Sequence, residues 1–289
     1  MRSTRPPRPH QNRRTLCHVA GGLCVISPRV TSPVFAWIGS STTKRRGPNP
    51  PKTFVDYFVE ALGISPSAST CPFVDGSWSD CARQLDRNTW SRLRASREIE
   101  ILIREEQVVR RCRVPAQSLQ QVIQQSNGKV LGLHCMNGYN QTRSYNLACS
   151  GTATEDWLRN SLPFQILAAV NPHYILIQLG GNDLREGMSP YGYGHNIRRI
   201  AARCKVVAPG ATIVLVGTAI NADIRQLDPD WRDYMTELCK IAVDNDDIYY
   251  ADLRSVDSTP ENTADDGIHM NERAARLQGQ ALLQCLNRG

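Results

Sequence analysis

Residues 34–43 read "VFAWIGSSTT": five apolar residues, a glycine, then four hydroxyl residues in a row. An apolar run without alternation describes a strand buried on both faces, as in a parallel sheet covered by helices. The hydroxyl run falls where that strand ends. Reacting groups of open α/β sheets collect at the carboxyl ends of strands, so Ser40 and Ser41 are candidates for chemistry. A polar loop or a helix cap is the plainer alternative.

Similar runs recur at 130–135, 145–149, 174–179, 212–216 and 248–251. Helical spacing lies between them. Phe54, Tyr57, Phe58 and Leu62 mark one face, and Trp157, Leu158, Leu162, Ile166 and Leu167 mark another. Further helices are predicted at 196–206, 231–243 and 271–285. Buried strands alternating with helices predict a three-layer α/β/α sandwich around a central, mainly parallel sheet. Residues of about 64–129 break the rhythm and read as an insertion on the domain's edge. Within it 89–113, with four glutamates and seven arginines, reads as a charged, solvated helix, and "SLQQVIQQSNGK" as a short helix closed by Gly128.

Charge narrows the function classes. The chain of 289 residues is 41% hydrophobic and 21% charged, with a formal charge of +7. Six arginines and no acid lie in residues 1–33; the remainder carries 28 basic against 27 acidic residues. The basicity therefore belongs to the leader, which suits a targeting segment or a disordered tail, and the body offers no case for nucleic acid. Secreted, organellar and cytoplasmic locations all stay open. No window reaches the ~18 apolar residues of a membrane-spanning helix. Ten cysteines are scattered without a C-x-x-C pair, which gives a metal site no support. Cys71 and Cys81 are the expected disulfide in an oxidising compartment, while Cys149, Cys204 and Cys239 read as buried small hydrophobes. Asn140-Gln141-Thr142 is a glycosylation sequon.

The residues just beyond the strands form a set. Ser40 and Ser41 come after the first, Ser150 and Gly151 after another, and Asn182 and Asp183 close "GGND". Asp266 stands three residues before His269 in "DGIH", ahead of the last helix. These residue types suffice for acyl transfer. A serine hydroxyl attacks once an imidazole takes its proton, and the imidazole needs an acceptor on its other nitrogen. Gly267 permits the turn that brings Asp266 back to the ring. The N–H groups of Ser41 and Gly151 and the amide of Asn182 suit the oxyanion of the tetrahedral intermediate. Asp183 is expected to brace its loop. Tyr191 and Tyr193 either line a pocket or are ordinary loop aromatics.

In these blocks the chain resembles the SGNH (GDSL-type) hydrolases. Gly39-Ser40-Ser41-Thr42-Thr43 resembles their Gly-Asp-Ser-x-Thr, with Ser40 where aspartate is usual. Asn146 to Gly151 matches Asn-x-Ala-x-x-Gly, Gly180 to Asp183 matches Gly-x-Asn-Asp, and Asp266 to His269 matches Asp-x-x-His. The resemblance covers residues 34–289 apart from the insertion. It implies a flavodoxin-like sandwich, hydrolysis of a small-molecule ester through a Ser41–His269–Asp266 triad, and no cofactor. Acetylated sugars and lysophospholipids are both open as substrates. Replacement of the aspartate by Ser40, together with the insertion, leaves a second class: an inactive relative that binds carbohydrate or protein.

Overall fold

Both faces of the strand at 34–39 are covered, and the two coverings define the layers. Val34, Ala36 and Ile38 point into one hydrophobic cluster, and Phe35 and Trp37 into the other. A strand placed so has no polar face to show, which is why it reads as an unbroken apolar run.

The computed structural model describes residues 32–41, 43, 52–64, 67–69, 91, 93–105, 108–126, 130–136 and 142–287. The leader up to residue 31, the Cys71–Cys81 pair and Asn140 lie outside them. The described elements begin with β1 (Val34–Gly39), α1 (Phe54–Ala61), β2 (Ser67–Ser69), β3 (Glu98–Glu105) and β4 (Val108–Pro115). Next come α2 (Leu119–Gln125), β5 (Val130–Met136), β6 (Arg143–Asn146), α3 (Thr154–Arg159), α4 (Leu162–Val170) and β7 (Tyr174–Gln178). The chain continues through α5 (Gly181–Arg185), α6 (Pro190–Val207), β8 (Thr212–Gly217), α7 (Asp228–Val243), β9 (Ile248–Asp252) and α8 (Glu272–Asn287).

The main sheet runs β6-β1-β7-β8-β9 with every pair parallel. On one face, α4, α6 and α7 bury residues such as Ile166, Ile197 and Leu238 against Ile175, Ile177, Ile213 and Leu215. On the other, α1 and α8 pack Phe54, Phe58, Leu282 and Leu286 against Phe35, Trp37, Leu176 and Val214. Trp37 meets Phe58 edge-on at 5.3 Å and Phe35 stacks on Tyr174 at 5.1 Å. Each such ring contributes about 1.5–3 kcal/mol by burial. This is the three-layer sandwich expected of the sequence.

Four expectations about elements change. Residues 89–113 are not one helix. Most of them form the β3–β4 hairpin of a second, antiparallel sheet ordered β2-β5-β3-β4. Ile99, Ile101 and Ile103 alternate along β3 toward Leu119 and Ile123 of α2, and that period of two outweighs the charge content. The run at 130–135 is a strand, but of this second sheet, where β5 pairs antiparallel with β2 and β3. The helical face from Trp157 to Leu167 is split into α3 and α4, because Pro163 begins a new helix. The strand read at 145–149 lies at Arg143–Asn146 instead.

The second sheet docks onto edge strand β6 through a buried ion pair. Glu100 of β3 accepts from Arg143 and from the Tyr145 hydroxyl, all three being buried. Arg111 of β4 donates to the carbonyl of Val170 at the end of α4, at 3.0 Å. Among the described residues, no helix is long and apolar enough to cross a membrane.

Candidate active site

Loops from four places on the carboxyl edge of the main sheet converge. Behind β1, the chain turns through Ser40 and Ser41, closed by the Thr43 N–H donating to the Ser40 carbonyl at 3.1 Å. Ser41 is half-buried, and its Oγ lies 2.9 Å from Nε2 of His269, a residue 228 positions away. His269 Nδ1 in turn lies 2.6 Å from Oδ2 of Asp266. With Nδ1 protonated toward that carboxylate, Nε2 is the acceptor for the Ser41 hydroxyl.

The last loop holds the pair locally. Asp266 Oδ1 accepts from the N–H groups of Ile268 and His269 at 3.0 and 2.9 Å. Gly267 sits at φ +68°, a conformation glycine adopts without strain. The His269 carbonyl accepts from Ala264 at 2.7 Å, and Asn271 caps α8 by accepting from Ala274 at 3.1 Å. Partial burial works to raise the Asp266 carboxyl. The two backbone donors and the imidazole outweigh it and hold the group down to about 2.

The three expected oxyanion donors come after β1, β6 and β7. The N–H groups of Ser41 and Gly151 make no hydrogen bond among the described residues. Gly151 stands at φ +79° in the loop after β6. Asn182, at the start of α5, donates through Nδ2 to the Thr152 carbonyl at 2.9 Å. Ser150 is exposed on the surface of the same loop.

Asp183 is fully buried, and its Oδ1 accepts from the N–H (2.9 Å) and the hydroxyl of Thr154. It thereby joins α5 to the first turn of α3. Burial pushes its carboxyl up, against the pull of the Thr154 donors. Ser40 is buried, and its hydroxyl has no partner among the described residues; it contributes to the turn through its carbonyl. Tyr191 is exposed and Tyr193 is buried in α6, stacked on Tyr234 at 4.2 Å with its hydroxyl on the Leu179 carbonyl, so Tyr193 belongs to the core. Cys149 is disulfide-bonded rather than a free small hydrophobe, whereas Cys204 is a buried thiol and Cys239 is only partly buried.

Sequence reasoning assigned no role to Asn146, Thr43 and Gln178, which support the nucleophile turn. Asn146 Nδ2 donates to the Thr43 carbonyl at 2.7 Å, and Thr43 Oγ1 to Gln178 Oε1 at 2.8 Å. The one signal for Gln178 is an amide ending the apolar strand "YILIQ". A cavity of about 400 Å³ opens between the ends of β8 and β9 and the start of α7, and none of Ser41, His269, Asp266, Gly151 and Asn182 lines it. The paired charges Asp228–Arg232 and Asp252–Arg254, with Asp257 and Trp231, dominate its lining. No group of His, Cys, Asp and Glu among the described residues is arranged to hold a metal ion.

Known proteins share this architecture. The fold is similar to that of a catalytic mutant of an acetylxylan esterase from Geobacillus stearothermophilus, with a TM-score of 0.51 and 11% identity, over 90% of this chain and 96% of that one. It is also similar to a mutant acetyl-xylooligosaccharide esterase from Geobacillus, with a TM-score of 0.50 and 12% identity, over 89% and 94% of the two chains. At such identity the likeness concerns the fold. No curated protein matches the chain in sequence. The sequence model of the GDSL-like lipase/acylhydrolase family matches residues 119–277, more than half of the chain, and the protein belongs to that family of ester-hydrolysing enzymes.

Proposed function

We propose that the chain is a serine esterase that removes small acyl groups from polyhydroxylated alcohols, with Ser41 as nucleophile. The observation that carries this reading is the unbroken series from Ser41 Oγ through the His269 ring to Asp266, at 2.9 and 2.6 Å. His269 Nε2 takes the hydroxyl proton as Ser41 Oγ bonds to the ester carbonyl carbon. The resulting imidazolium is stabilised by the Asp266 carboxylate, which stays ionised. The carbonyl oxygen becomes an oxyanion that accepts from the N–H groups of Ser41 and Gly151 and from Asn182. Collapse breaks the bond to the alcohol, which leaves with the proton from Nε2. Water, deprotonated by His269, then releases the acid from Ser41.

The choice of alcohol rests on the esterases whose fold the chain shares, one an acetylxylan esterase and one an acetyl-xylooligosaccharide esterase. That likeness favours an acetylated carbohydrate over a lysophospholipid.

A fluorophosphonate probe tests the chemistry and an ester panel tests the substrate. The expected result is one adduct, on Ser41, and faster turnover of acetylated glycosides than of long-chain lysolipids. Absence of both labelling and hydrolysis would leave a carbohydrate- or protein-binding relative of the family.

A further inference from the structure

We infer that Gln178 is a positioning residue for the nucleophile turn, acting through the hydroxyl of Thr43. Strand β7 reads Tyr174-Ile175-Leu176-Ile177-Gln178, and all five residues are buried. The amide at its end is 5% exposed and stands in register with Gly39, the last residue of β1. An uncompensated buried amide costs roughly 1–3 kcal/mol, so a leucine or methionine would suit the core better. Gln178 is compensated at both ends: Oε1 accepts from Thr43 Oγ1 at 2.8 Å, and Nε2 faces Thr218 Oγ1 at 3.4 Å.

Thr43 is the closing residue of the turn that holds Ser41, and each of its polar atoms is committed. Its N–H donates to Ser40 O at 3.1 Å and its carbonyl accepts from Asn146 at 2.7 Å. Its side chain, fully buried, lies over Gly39 so closely that a Cβ there would come within 2.3 Å of Oγ1. The first two bonds hold the backbone of the turn, while the third ties it to the central strand. Gln178 acts at one remove: it orients Thr43, and Thr43 orients the turn. Displacement of a reacting group by about 1 Å costs on the order of 10²-fold in rate, so a modest rotation of this turn is enough to register in kcat.

The inference rests on Ser41 being the nucleophile, and three variants test it. Gln178→Met keeps length and volume but removes the acceptor. Gln178→Glu keeps an acceptor oxygen, and Thr43→Val removes the donor. Rates of fluorophosphonate labelling, kcat and KM on 4-nitrophenyl acetate and thermal midpoints are measured for each. Gln178→Met is expected to lower kcat and the labelling rate together by about 10-fold or more, with KM within about twofold. Gln178→Glu is expected to recover most of that loss. Thr43→Val should match Gln178→Met, and the double variant should be no worse than either. Wild-type kcat in Gln178→Met, equal losses with Met and Glu, or multiplicative losses in the double variant overturn the inference. If Gln178→Met does not fold, Thr43→Val and Gln178→Glu still decide it, through their predicted difference in labelling rate. Wild-type protein that neither labels nor hydrolyses overturns the esterase reading itself, and the positioning role with it.

Discussion

Asn182 donates its side-chain amide to the Thr152 carbonyl at 2.9 Å, tying the start of α5 to the loop that carries Gly151. The bond uses one of the two protons on Nδ2 and fixes the plane of the amide; the other is the donor proposed for the oxyanion. Asn182→Ala removes that donor but leaves the N–H groups of Ser41 and Gly151. It should lower kcat by roughly 10²–10³-fold with a smaller change in KM. A rise in KM alone, from steady-state kinetics on a small acetyl ester, would make Asn182 a substrate-binding residue instead.

Ser41→Ala and His269→Ala should each abolish ester turnover, and the double variant should be little worse than either single, because the two groups act as a unit. Thermal midpoints should stay near wild type, since neither side chain belongs to a hydrophobic cluster. Substantial turnover in Ser41→Ala would move the nucleophile elsewhere.

Legibility in the sequence tracked the range of the contacts involved. The parallel strands show because burial on both faces leaves an apolar run in one short window. Asp266 and His269 show because their contact is made within one turn. The β3–β4 hairpin does not. Its arginines imitate a solvated helix, and Glu100 is buried only because Arg143 and Tyr145, more than forty positions later, receive it. Thr43 and Gln178 meet across 135 positions, so nothing near either residue announces the bond. Cys149 reads as a small hydrophobe for the same reason: a disulfide partner is a matter of three-dimensional proximity.

Asp183 should impose a cost on the fold that grows with pH. Burial raises its carboxyl above the ordinary value, so on unfolding the group gives up its proton more readily. Stability from this group is complete below the unfolded value of about 3.8 and falls as pH rises through the higher folded value. Asp183→Asn keeps an acceptor for Thr154 and has nothing to ionise. Its thermal midpoint relative to wild type should therefore increase from about pH 4 to pH 8. A difference that does not vary with pH would show that the carboxyl titrates alike in both states.

Asp266 has the opposite sign. Its carboxyl is held down to about 2 against an ordinary 3.8, so the folded state favours the ionised form. Its contribution is present above the ordinary value and lost as pH falls toward 2. Asp266→Asn should lower the thermal midpoint near neutral pH, and the gap from wild type should close on acidification below about pH 4. Nearly half of the Asp266 side chain is exposed, so the gap should be small and salt-sensitive. A gap of constant size from neutral to strongly acid solution would contradict the depressed value.

Two adjacent hydroxyls come after β1, and only one faces the imidazole. Ser41 Oγ lies 2.9 Å from His269 Nε2. Ser40 is 5% exposed, its hydroxyl has no partner among the described residues, and its part in the turn is the carbonyl that accepts from Thr43. Replacing Ser40 by alanine preserves that carbonyl and removes a hydroxyl that contributes no hydrogen bond among the described residues. Stability should change by less than about 1 kcal/mol, the typical net worth of a single hydrogen bond. Labelling by a fluorophosphonate should persist in Ser40→Ala and vanish in Ser41→Ala, with the adduct mapped by peptide mass spectrometry to Ser41. An adduct on Ser40 that survives Ser41→Ala would reverse the two assignments. A large loss of turnover in Ser40→Ala with the label still on Ser41 would instead give the Ser40 hydroxyl a supporting role like that of the aspartate usual in the family, through a contact made only with substrate bound.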